Sequence, residues 1–95
     1  MTTYFVVNAD IKDLDLLNEY QAAAGPTLAG REFTLVAASN DAEALEGKPA
    51  GSRVVILGFP DKAALMDWYN SEAYQAIIGK RLASTEGFGV IVEGF

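Results

Sequence analysis

The stretch Arg53–Gln75, RVVILGFPDKAALMDWYNSEAYQ, decides the fold. After Arg53 its opening RVVILGF has no polar alternation, the pattern of a strand covered on both faces. Pro60 ends that strand, and Asp61 stands where a helix N-cap is needed. Leu65 and Trp68 then share one helical face, with Ala64 beside them. Asn70-Ser71 interrupts the pattern. Ser71 reads as a second N-cap, with Glu72 in the first turn beside the positive end of the helix dipole. Tyr74, Ile77, Ile78, Arg81 and Leu82 resume the 3.6-residue period. The stretch is a strand, a helix, a joint and a second helical segment.

Working outward, Tyr4–Ile11 (YFVVNADI) is a β-branched and aromatic strand. Asp13 caps a helix whose apolar stripe is Leu14, Leu17, Tyr20 and Ala24, and Gly25-Pro26 is expected to break it. Leu28 falls in a further turn ended by Gly30. Glu32–Ser39 (EFTLVAAS) is the second strand, and the polar, Gly/Pro-punctuated Asn40–Ser52 connects it to Arg53. Downstream, Ser84–Gly87 (STEG) closes the last helix. Phe88–Phe95 (FGVIVEGF) is a final strand, again apolar on both faces.

The order β-α-β-β-α-β is that of a ferredoxin-like α+β fold, an antiparallel sheet with its helices on one face. One domain over residues 1–95 is expected at this length. The helices cover one face, yet the third and fourth strands are apolar on the other. A second copy packed sheet against sheet covers it, so a homodimeric α+β barrel is expected. The 51% hydrophobic content of so short a chain points the same way.

Charge and composition exclude several functions. Thirteen acidic against seven basic residues give a net charge of −6. With no basic stripe, neither nucleic acid nor an anionic membrane surface is an expected partner. The longest apolar run, VVILGF, is too short to span a bilayer. The N-terminus MTTYFVVNADIKD has no basic region or cleavage site, so the cytoplasm is the expected compartment. The chain has no His and no Cys. Haem with an axial His, zinc, and Ser-His or Cys-His nucleophiles are therefore not expected, and neither is any other cofactor. Asp10, Asp13 and Asp15 read as caps and a solvated turn rather than a metal site. GFGVIVEG lies in a terminal strand with no helix behind it, so it is not a dinucleotide fingerprint. Gly89 and Gly94 there are expected to allow close approach of backbone or ring.

Several elements together resemble a bacterial family of unknown function, domain of unknown function 1330. They are the opening YFVVNADI, Leu45–Gly47 (LEG), Arg53–Gln75 and the closing Val90–Phe95 (VIVEGF). The resemblance spans nearly the whole chain. Glu72 and Ala73 follow Ser71 where that family tends to have Pro. The resemblance implies membership of the dimeric α+β barrel superfamily, which includes cofactor-free monooxygenases, isomerases and haem enzymes. It supplies no reaction.

The candidate site residues each have two readings. Trp68, Tyr69 and Tyr74 are either core rings at helical spacing or the lining of a cleft between helices and sheet. In the cleft, Asn70 supplies an amide and Tyr20 joins from the first helix. Arg53 either pairs with Glu46 to pin the loop or anchors a ligand carboxylate. Glu93 interrupts the last strand. It faces water, pairs with a cation, or sits in a cavity as an acid/base. The ligand-binding candidates are Tyr20, Arg53, Trp68, Asn70 and Tyr74, and the weaker catalytic ones are Glu46, Arg53 and Glu93. The leading function is a homodimer with a small-molecule pocket between helices and sheet. The alternatives are a cofactor-free oxygenase or isomerase of a small aromatic or lactone-like substrate, and a structural dimer with no ligand.

Overall fold

The structure is a computed structural model that describes residues 1–95. The chain runs β1 (Thr3–Ile11), α1 (Leu14–Thr27), β2 (Thr34–Ser39), β3 (Arg53–Phe59), α2 (Lys62–Tyr69), α3 (Glu72–Gln75), α4 (Ile78–Ser84) and β4 (Thr85–Glu93). The strands form one sheet in the order β2-β3-β1-β4, antiparallel throughout. This is the ferredoxin-like α+β arrangement expected from the element order.

Register assigns the faces. Phe5 lies opposite Leu57 and Ile91, and Val7 lies opposite Val55 and Gly89. Opposed residues share a face, so Phe5, Val7, Ala9, Leu57 and Phe59 form the side on which the helices pack. There they bury Leu17, Tyr20, Leu65, Trp68 and Tyr74. The other face carries Val6, Ile56, Val90 and Val92, and no helix of the chain covers it. Val90 and Val92 stay 42% and 46% exposed, and Phe88 53%.

The helix starts follow from their caps. Asp13 Oδ1 accepts from the Leu16 amide at 3.0 Å, Asp61 Oδ1 from Ala64 at 2.8 Å, and Ser71 Oγ from Tyr74 at 3.2 Å. Each such cap is worth about 1 kcal/mol. No helix is long and apolar enough to cross a membrane.

Strand ends shift by one or two residues, β2 starting at Thr34 rather than Glu32, and three boundaries differ from the sequence expectation for a physical reason. First, α1 continues through Gly25-Pro26 to Thr27. Pro26 lies in the last turn, where losing one amide bond costs little, and Thr27 Oγ1 donates to the Ala24 carbonyl at 2.6 Å. Second, the segment after Ser71 is not one helix. It breaks again at Ala76-Ile77, and α4 starts without a side-chain cap. Third, α4 does end within STEG, at Ser84, but β4 begins directly after it at Thr85 rather than at Phe88. The Ser84 carbonyl accepts the Lys12 and Asp13 amides at 2.8 and 3.1 Å, which docks this junction on the end of β1.

Candidate functional site

The Asn70-Ser71 joint brings its rings into the core. The Trp68 and Tyr74 centroids lie 4.1 Å apart, and Phe59 stacks on Trp68 at 5.6 Å. Both polar ends are satisfied. Trp68 Nε1 donates to Thr27 Oγ1 at 3.0 Å, and the Tyr20 and Tyr74 hydroxyls share a hydrogen bond of 2.8 Å. Trp68 and Tyr74 are at most 1% exposed. Asn70 is exposed at the end of α2, where its backbone N–H donates to the Met66 carbonyl. None of Tyr20, Trp68, Asn70 and Tyr74 lines the main cavity between sheet and helices.

The neighbouring ring does. Tyr69, one residue beyond Trp68 and so about 100° around the helix, opens on a cavity of about 370 Å³. Its floor is Phe5, Val7 and Ala9 of β1 with Gly87, Gly89 and Ile91 of β4, and its walls include Leu65 and Met66 of α2 and Arg81 and Leu82 of α4. Glycine shapes this floor. A Cβ on Gly89 would lie 2.7 Å from Phe5 Cε1, so the bare backbone lets the Phe5 ring lie against β4. A Cβ on Gly94 would likewise lie 2.7 Å from Tyr4 Cε2, so both glycines admit a ring as the sequence suggests. Trp68 packs behind Phe5 at 6.3 Å, and Tyr69 meets Phe5 edge-on at 5.9 Å. The core rings thus hold the cavity floor from behind.

Arg81 is the one charged residue lining the cavity. It sits in the last turn of α4, where its carbonyl accepts the Ser84 and Thr85 hydroxyls at 3.2 and 2.8 Å. Its guanidinium lies 5.7 Å from the centre of the Phe5 ring, within cation–π range. Its Nε is buried and has no hydrogen-bond partner. In the sequence Arg81 stands on the apolar stripe of the last helix, and a cation on that stripe is the signal that marks it.

Arg53 is buried elsewhere on the same sheet face and does not pair with Glu46. Its two Nη atoms donate to Asn40 Oδ1 at 2.6 Å and Gln21 Oε1 at 3.3 Å, pinning the loop after β2 to α1. Burial, and secondarily the Arg81 charge, lower its pKa. Tyr20 is pushed the other way. Burial raises its pKa and Tyr74 adds to the shift, while the charges of Arg81 and Arg53 oppose it. The Tyr20 hydroxyl therefore lies within electrostatic reach of both guanidiniums. Glu46 and Glu93 are exposed and line no part of the cavity. The arrangement can enclose a small apolar molecule and present one positive charge to it.

Fold and cavity together define a ferredoxin-like α+β protein with a half-open cavity between sheet and helices. The family model described as domain of unknown function (DUF1330) matches residues 2–95, and the chain belongs to that family. Among solved structures it is similar to a protein of unknown function from Rhodopseudomonas palustris, with TM-score 0.81 and 14% identity over 99% of this chain and 82% of that one. It is also similar to a dimeric ferredoxin-like protein of unknown function from Jannaschia sp. CCS1, with TM-score 0.72 and 24% identity over 99% and 100%. SnoaB, a cofactor-independent oxygenase from Streptomyces nogalater, matches with TM-score 0.65 and 10% identity over 99% and 93%. At these identities the likeness is one of fold. No curated protein matches the chain.

Proposed function

We propose that this protein is a homodimer that binds a small organic molecule in the cavity between the sheet and helices α2 and α4. The observation that carries the reading is the cavity of about 370 Å³, apolar apart from Arg81 and a few small polar groups. Its size falls in the range of small-molecule sites, and its chemistry suits them, an apolar lining with few polar groups. The dimer is supported by the uncovered apolar face of Val6, Ile56, Val90 and Val92, which a second sheet would bury. The dimeric description of the Jannaschia protein is in keeping with it.

No carboxylate lines the cavity, so the reading is binding rather than proton transfer by Glu46 or Glu93. Thermal unfolding with a panel of small aromatic compounds tests it. A bound compound raises Tm in proportion to the logarithm of its concentration. The Gly89→Val protein, whose new side chain enters the floor, should lose that shift. A panel that leaves Tm unmoved, or shifts both proteins equally, removes the reading.

A further inference from the structure

We propose that the ligand of this cavity is an organic monoanion, a flat aromatic carboxylate or its equivalent, with its charged end held by the Arg81 guanidinium. The proposal rests on the cavity being a ligand pocket and adds the class of ligand.

The first reason is the pattern of ion pairing. The molecule forms four ion pairs, and their cations are Lys12, Arg31 and Lys80, all on the surface. Arg81 has none, in a chain with 13 acidic residues. Arg81 is partly buried, with Nε enclosed and no counterion beside it, and an entering anion would supply one. Arg53 is the other inward guanidinium, and its acceptors are neutral amides. The cavity lining therefore carries one unpaired positive charge and no negative one, in an acidic protein.

The second reason is hydrogen bonding. Arg81 Nε is the one buried side-chain nitrogen or oxygen without a partner. Buried polar groups are nearly always satisfied, so each exception calls for an explanation. The fork of a guanidinium matches a carboxylate in shape and hydrogen-bond geometry. The Phe5 ring lies 5.7 Å from the guanidinium carbon and takes up none of its N–H donors, and Nε is left without a partner.

Two features narrow the class. A dianion such as a phosphate monoester would meet one cation and no second positive group in the lining, so a single negative charge fits better. The floor left by Gly87 and Gly89, with the edge-on Phe5–Tyr69 pair, suits a flat ring better than a branched chain.

The test compares two probes of one shape, 2-naphthoate and 2-naphthylmethanol, by calorimetry on the wild-type protein and on Arg81→Gln. The acid should bind wild type about tenfold or more tightly than the alcohol, as expected for a charge-assisted hydrogen bond. Arg81→Gln should weaken the acid by a similar factor and leave the alcohol within about threefold, so the preference disappears. Equal binding of both probes to wild type overturns the anion proposal and leaves the pocket standing. Binding of neither overturns both. An acid preference that survives in Arg81→Gln places the anion elsewhere and overturns the assignment to Arg81. The wild-type comparison holds even where the variant folds poorly.

Discussion

The Trp68 and Tyr74 rings meet at 4.1 Å across the Asn70-Ser71 bend, so the joint between α2 and α3 closes on its own side chains. Trp68 also touches Phe59 and Phe5 and is 1% exposed. Trp68→Ala removes the hub of this cluster and should cost about 3–5 kcal/mol in urea unfolding. A loss below about 1 kcal/mol would mean the joint does not need its ring.

The Tyr20–Tyr74 hydroxyl bond ties α1 to α3 through the core. Tyr20→Phe or Tyr74→Phe alone leaves one buried hydroxyl without its partner, at about 1–3 kcal/mol. The double variant removes both and should cost clearly less than the sum of the two. Strict additivity in a double-mutant cycle would show the hydroxyls are independent.

Tyr20 also sets an alkaline limit on stability. Its folded pKa lies above the ordinary tyrosine value of 10.0, chiefly through burial. The raised value favours the protonated, neutral form in the folded state. Its contribution is complete below pH 10 and is lost as pH rises beyond that, where the unfolded chain releases the proton and the folded one retains it. From this group stability should fall by up to about 1.4 kcal/mol per pH unit above pH 10. Tyr20→Phe should flatten that slope. An unchanged slope would assign the alkaline loss to other groups.

Two glycines give opposite outcomes. Gly89→Val drives its side chain into Phe5 and the cavity floor and should cost about 1–3 kcal/mol by overpacking. Gly79, within α4, has open space where a Cβ would sit. Gly79→Ala should therefore stabilise by about 0.5–1 kcal/mol and leave naphthoate binding intact. Paired unfolding and binding curves read both.

The open sheet face, with Val90 and Val92 exposed, is where the proposed second copy would pack. Val90→Glu places a charge on a surface that a second copy would cover. It should convert a light-scattering mass of two chains into one at micromolar concentration. A wild-type protein that runs as one chain would remove the dimer from the reading.

Much of the fold was legible because period and caps agree. β1 and β3 follow directly from their apolar runs, and Asp13, Asp61 and Ser71 each cap the helix they precede. Less legible were boundaries set by tertiary contact. The break at Ala76-Ile77 has no Gly, Pro or cap residue to announce it. The early start of β4 depends on the Ser84 carbonyl reaching Lys12 and Asp13, far away in sequence. The cavity was least legible. Adjacent residues of one helix divide between core and lining, Trp68 inward and Tyr69 toward the space, and which side fills depends on Phe5 and a glycine strand that pairs with it only in three dimensions. Three lining residues carried a sequence signal, Tyr69 as a ring beside the joint, Gly89 as a glycine within a strand and Arg81 as a charge on an apolar stripe.

The decisive measurement is a crystal structure of the protein soaked with 6-bromo-2-naphthoate, with the bromine located by its anomalous scattering. The bromine is expected in the cavity bounded by Phe5, Tyr69 and Gly89, with the carboxylate oxygens at 2.7–2.9 Å from the Arg81 guanidinium nitrogens, as in charge-assisted pairs. Bromine found only on the outer surface, or an empty cavity at saturating ligand, would refute the small-molecule pocket.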